Sequence, residues 1–512
     1  MQHVDVIIIG AGLSGIGGAC HLKMACPGKS FVILEGREAI GGTWDLFRYP
    51  GVRSDSDMFT LGYRFRPWRE SKVMADGPSI LNYIRDTAAE FRVDKAIRYN
   101  HRVRRAEWSS AEARWTVEVE AGHNDTNTGR DTIEARQNGS GNGTESTLVQ
   151  FTCNFLYLCT GYYDYESGYT PEWPGVEGFK GSIVHPQKWP EDLDYTDKRV
   201  VVIGSGATAV TLVPAMAEYA KHVTMLQRSP SYIVSRPEID QVAKWLRRCL
   251  PDKVAYAAAR WKNVLNTLFF YNLARTRPNF FKWMIARGVQ KHLQTEYDAK
   301  HFTPRYNPWD QRMCFVPDAD LFNAMRSGSV SVVTDHIETF TKTGLQLKSG
   351  KHLDADIIVT ATGLVMKLFS GMQLLVDDEP VDLPKTLVYK GMMFSDVPNL
   401  AFAIGYTNAS WTLKCDLTAE YMCRLINHMD QHGYTVCTPR VNDPDIEDEP
   451  VIDFSSGYVL RALHTLPRQG SKPPWRLHQN YVKDLSMMRY GRVEDGTMEF
   501  GTDARRQTRI RI

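Results

Sequence analysis

Several features are missing from this 512-residue chain, and each absence excludes a class of protein. No run of about eighteen apolar residues occurs, so no membrane-spanning helix is expected. The nine cysteines include no Cys-x-x-Cys pair and no metal-ligand spacing, which argues against a metal centre and a dithiol redox centre. Cys153 and Cys159 fall on a strand-like segment and read as packed thiols. An excess of one charge is missing too. With 61 Lys and Arg against 59 Asp and Glu, the net +2 offers no domain-wide basic face, and no nucleic-acid motif accompanies it. The first apolar strand starts almost at Met1, leaving no secretory leader ahead of it, so a reducing cytoplasm is the expected setting.

What is present is glycine in two telling places. Gly10-Ala11-Gly12-Leu13-Ser14-Gly15 follows the β-branched run Val4–Ile9 and opens a helix expected from about Ser14 to Met24. A second strand, Ser30–Leu34, ends in Glu35, where a ribose hydroxyl needs an acceptor. Gly204-Ser205-Gly206-Ala207-Thr208-Ala209 repeats the layout after Arg199–Ile203. Its following strand, His222–Leu226, ends in Gln227-Arg228-Ser229 instead of an acid. A carboxylate there would repel a 2′-phosphate, whereas Arg228 and Ser229 can bind one. The first loop therefore reads as an FAD site and the second as an NADPH site. Two such loops together mark an enzyme that passes a hydride from a nicotinamide to a flavin.

The expected fold is α/β. It has two Rossmann-like dinucleotide-binding domains, for FAD and NADP, with a helical insertion in the NADP domain. Residues 1–165 and 370–512 are assigned to the FAD domain, 166–234 and 311–369 to the NADP domain, and 235–310 to the insertion. Ser79–Phe91 reads as an amphipathic helix, and Arg102–Trp108 with Arg114–Glu120 as an antiparallel hairpin arm. Leu148–Cys159 and Ala355–Thr362 are sister strands ending in Thr-Gly, where the chain crosses between domains. Thr418–Gln431 reads as a late helix. The polar stretch 122–147 reads as a long mobile loop, and the arginine-rich tail after Gly501 as a solvated end. The insertion is aromatic and basic. A helical cap with its own aromatic core is the favoured reading, with peripheral membrane contact through 245–290 as the alternative.

Phe179-x-Gly181-x-x-x-His185-x-x-x-Trp189-Pro190 resembles in full the signature of type I Baeyer–Villiger monooxygenases. Gly41-Gly42-Thr43-Trp44, Tyr49-Pro50-Gly51 and Asp55 match a second signature of that family. Arg305–Arg312 is similar to the subgroup containing the ethionamide-activating monooxygenase. The resemblance implies that NADPH reduces FAD and that reduced flavin and O2 give a C4a-peroxyflavin. Its anion then attacks a ketone and inserts one oxygen beside the carbonyl, giving an ester or lactone. The matching catalytic residues are Arg312, a fixed cation for the peroxide, and Asp55, its carboxylate partner. Gly42, Thr43 and Trp44 join the expected flavin contacts, and Phe179, Gly181, His185 and Trp189 form a hinge between domains. Many family members carry a lysine just before the arginine; Gln311 stands there and leaves the strength of the NADPH preference open. Thioethers or thioamides are alternative substrates, through a nitrogen- or sulfur-oxidising flavin monooxygenase. A pyridine nucleotide–disulfide reductase is a remote alternative that lacks its cysteine pair. Composition sets no oligomeric state.

Overall fold

A computed structural model describes residues 1–122 and 147–502. The stretch 123–146 and the arginines of the tail lie outside the described residues.

Two sheets carry the architecture. In the first, Gln2–Ile9 lies between Phe31–Leu34 and Thr147–Leu158, parallel to both, with Ile8 opposite Ile33 and Tyr157. Val4–Ile9 and Phe31–Leu34 are rich in Val and Ile and largely buried, as a sheet covered on both faces requires. The hairpin His101–Ser109 and Arg114–Ala121 is not a free arm. Arg114–Ala121 pairs antiparallel with Thr147–Leu158, so the hairpin is continuous with the first sheet. Leu400–Phe402 adds on the same central strand, and Gln373–Val376 on the hairpin.

The second sheet is wholly parallel, in the order Val330–Thr334, His222–Gln227, Arg199–Ile203, Ile357–Thr360, Ser182–Val184. The link between the units is itself paired. Tyr163–Gly168 runs antiparallel to Leu364–Met366, so the two crossing segments form one short ribbon.

The insertion leaves and returns through adjacent strands, Ile233–Arg236 and Cys314–Pro317, which pair in parallel. Between them stand three longer helices, Gln241–Cys249, Asp252–Thr276 and Pro278–Leu293, and the short helix Ala299–Phe302. They do not close on a core of their own. Tyr256, Ala259 and Val264 join a core on one face of the first sheet, while Phe281, Ile285 and Val289 join the core of the second sheet. Trp245, Phe269 and Trp283 are 53–62% exposed, against the expectation of a self-contained aromatic core.

Candidate active site

Both glycine loops are shaped by the same steric rule. Gly10 has φ +104°, and a Cβ there would lie 2.6 Å from the Cys159 carbonyl oxygen. Gly204 has φ +139°, and its Cβ would lie 2.3 Å from the Ala361 carbonyl oxygen. Each loop thus packs its first glycine on the end of one of the two sister strands. The second glycine differs in kind. A Cβ at Gly12 would make only ordinary contact, with Gly42 Cα at 3.6 Å and N at 3.9 Å, and one at Gly206 would meet nothing within 4 Å. Both glycines stand at the N-termini of helices, Leu13–Ala25 and Ala207–Met216, which have no side-chain cap and no acid in the first turn. Uncapped N–H groups at a helix start suit a pyrophosphate, so both loops fit a dinucleotide.

Glu35 is 7% exposed. It accepts from the Ala11 N–H at 2.7 Å and the Arg37 N–H at 3.0 Å. Burial pushes its carboxyl up, against these two donors. It braces the first loop with part of its acceptor capacity and has lone pairs left for a ribose. Ser14 is tied into the loop's surroundings: its Oγ accepts from Trp411 Nε1 at 2.9 Å and donates to Cys415 Sγ at 3.3 Å. Thr43 bonds the Tyr163 hydroxyl at 2.7 Å, and the Gly41 N–H reaches the Ala11 carbonyl. Gly42, at φ +57°, approaches Gly12, so the second signature closes over the first loop. Trp44 packs partly buried against the same core of the first sheet that takes Tyr256.

On the other loop, Ser205 Oγ donates to the Ser229 carbonyl at 3.1 Å and pairs with Ser231 Oγ at 2.9 Å. This holds the turn carrying Arg228 beside Gly206. Arg228 is exposed and has no carboxylate partner among the described residues, so its charge is free for a phosphate. Ala207 and Thr208 open the helix, as expected.

Arg312 and Asp55 meet in a bidentate pair, Nε to Oδ2 at 2.9 Å and the terminal nitrogen to Oδ1 at 3.0 Å. The Asp55 charge is the main reason the guanidinium is held even more firmly protonated than usual, against partial desolvation. Its side chain remains 40% exposed, so the cation still faces open space. Local structure explains the placement. Arg312 stands two residues before the strand Cys314–Pro317, and Cys314 Sγ contacts the Ser205 carbonyl at 3.7 Å, in the second loop. Asp55 follows Tyr49-Pro50-Gly51, a turn driven against the helix Ala207–Met216. A Cβ at Gly51 would lie 2.5 Å from the Thr211 carbonyl oxygen, and Arg53 pairs with Asp320 at 2.7 Å. The pair therefore joins a segment of the first unit to one of the second. Gln311 is half-buried and donates to the Ser455 carbonyl at 3.5 Å, so it points its amide to the late chain.

The residues expected to form a hinge make contacts of their own. Phe179 is buried in the second sheet's outer core, and a Cβ at Gly181 would lie 2.2 Å from the Asp356 carbonyl oxygen. His185 accepts from the Gln187 N–H at 3.2 Å, and its ring fills the space a Cβ at Gly168 would need. Burial lowers its basicity below that of a free imidazole. Trp189 packs against the second core.

Sequence reasoning missed Tyr162 and Tyr458, which lie close enough to Arg312 for its charge to act on both hydroxyls. Tyr162 also stacks on Trp411, with centroids 5.3 Å apart. It also missed Asp416, buried between His21 at 3.2 Å and Arg260 at 3.4 Å. All nine cysteines are free, and Cys249 alone among them is exposed.

A family profile described as flavin-binding monooxygenase-like matches residues 74–404, and one described as an NAD(P)-binding Rossmann-like domain matches residues 8–70. The FAD-containing monooxygenase EthA of Mycobacterium tuberculosis is 52% identical over 501 residues, covering 98% of each protein. The probable FAD-binding monooxygenase AlmA of Acinetobacter baylyi is 46% identical over 98% of this chain and 96% of its own. Among solved structures, an oxidized steroid monooxygenase bound to NADP superposes with a TM-score of 0.73 at 20% identity, covering 98% of this chain and 99% of the other. OTEMO in complex with FAD and NADP gives 0.70 at 20% identity, covering 97% and 99%. At that identity these two share the fold.

Proposed function

Since the chain belongs to the flavin-binding monooxygenase-like family, we propose that it is an FAD- and NADPH-dependent Baeyer–Villiger monooxygenase of the cytoplasm. It would insert one oxygen of O2 beside a ketone carbonyl and give an ester or lactone. Bound FAD supplies O2 activation, and NADPH supplies the electrons. The observation that carries the reading is the Arg312–Asp55 pair, a fixed and still accessible cation beside the second glycine loop. Oxygen transfer to a carbonyl carbon develops negative charge on oxygen, and a preorganised guanidinium stabilises it without reorganisation. Asp55 holds the fork in one orientation. Residues 1–165 and 370–512 would hold FAD, 166–234 and 311–369 NADPH, and 235–310 would cover them. Gly10, Gly12, Ser14, Gly15 and Glu35 would receive one nucleotide; Gly204, Gly206, Ala207, Thr208, Arg228 and Ser229 the other.

A ketone panel read by mass spectrometry for added oxygen tests this. Oxidation of a sulfur or nitrogen nucleophile is the second reading. It is favoured by the matching profile, which describes flavin-binding monooxygenases without restricting them to ketones. A thioether supplied in the same panel separates the two.

The cofactor preference has its own test. Arg228→Ala removes one charge-assisted contact, about 1.5–3 kcal/mol, so the preference for NADPH over NADH should fall by roughly tenfold to over a hundredfold through a raised KM. An unchanged NADPH/NADH ratio would mean that the 2′-phosphate binds elsewhere.

A further inference from the structure

The insertion leaves an unusual surface. Every phenylalanine and tryptophan classed as exposed among the described residues lies on it: Trp245, Trp261, Phe269, Phe280 and Trp283. The helix Asp252–Thr276 is apolar on two opposite faces. Ala255, Tyr256, Ala259 and Val264 are buried. Val254, Trp261, Leu265 and Phe269, spaced by seven and then four residues, form a second row that is 40–62% exposed. On the next helix, Phe280 stacks on Trp283 with centroids 5.7 Å apart, and the Arg287 guanidinium lies 5.2 Å over the Trp283 ring.

The charge is as one-sided as the apolarity. Residues 241–293 contain eleven Lys and Arg and one acid, Asp252, in a chain whose overall net charge is only +2. Some of these cations are used internally: Arg260 on Asp416, Lys262 on Asp240, Arg275 on Asp310. Lys244, Arg248, Lys253, Arg277, Lys282, Arg287 and Lys291 have no carboxylate partner among the described residues. Aromatic rows with unpaired cations beside them match an interface of buried acyl boundary and anionic headgroups. None of these helices is long and apolar enough to cross a membrane, so the fit is to lying on the surface.

We infer that the helical insertion docks the protein on the surface of an anionic lipid bilayer, through Trp245, Phe269 and Trp283 with the cations around them. This goes beyond the proposed reaction and does not depend on it.

The test is flotation of the FAD-loaded protein with phosphatidylcholine vesicles, with and without phosphatidylglycerol, at low and high salt. The protein should float with the anionic vesicles, and salt should weaken that binding. A Lys244→Glu/Arg248→Glu/Lys253→Glu/Arg287→Glu variant should lose more than about a hundredfold in partitioning, since each cation near such a surface is worth roughly fivefold. A Trp245→Ser/Phe269→Ser/Trp283→Ser variant should lose binding at either salt. FAD content and NADPH oxidation without vesicles should stay at parent values in both, which shows that they fold and separates this test from the assigned reaction. Absence from the anionic vesicles, equal binding to neutral ones, or unchanged binding in both variants overturns the inference. So does sedimentation showing that the parent buries this face in a dimer that the serine variant dissolves.

Discussion

Arg312→Ala should keep FAD and still consume NADPH slowly, but yield no ester. The electrons should leave as hydrogen peroxide. The pair it breaks is bidentate and accessible, and removing a preorganised charge of this kind costs on the order of 100- to 1,000-fold in turnover. Asp55→Ala should give the same phenotype less completely, because the cation stays and only its orientation is lost. Lysine at position 312 should rescue in part at best, since a point charge lacks the planar fork that meets both carboxylate oxygens. The readout is ester formed per NADPH consumed. A parent-like ratio and rate in Arg312→Ala would remove the cation from the chemistry.

The second large effect separates two glycines three positions apart. Gly15→Val should fail to fold or fold poorly, because its Cβ would sit 1.9 Å from the Gly10 carbonyl oxygen, which is backbone and cannot yield. Gly12→Val should behave differently. Its nearest neighbour is 3.6 Å away, so the chain can fold, but the side chain would fill the space left for the pyrophosphate. The purified Gly12→Val protein should therefore be folded by circular dichroism and colourless, with FAD content near zero. A folded and fully yellow Gly12→Val protein would place the flavin elsewhere.

The glycine loops and their strands were legible because spacing and β-branched runs are local properties. The Arg312–Asp55 contact spans 257 positions and came only through a family resemblance, since no periodicity joins two loops so far apart. Tyr162 and Tyr458 carried no signal at all: a tyrosine in a loop and another in the short helix Gly457–Ala462 are ordinary, and only folding places them by the guanidinium. The late helix begins at Trp411, well before the expected Thr418. Lys414 and Asp416 disguise its start, reading as surface charges while they are in fact buried against Asp484 and against His21 with Arg260. The insertion misled for a related reason. A helix with apolar residues on both faces shows that it has something to bury, and not which face the core takes.

The central claim is oxygen insertion beside a carbonyl, and the most direct measurement follows the oxygen atom. The FAD-loaded protein is given NADPH, a cyclic ketone, a thioether and isotopically heavy O2, and the products are weighed by mass spectrometry. The account predicts a lactone carrying one heavy oxygen, in proportion to the NADPH consumed. Ketone recovered unchanged while the thioether becomes a labelled sulfoxide would contradict it.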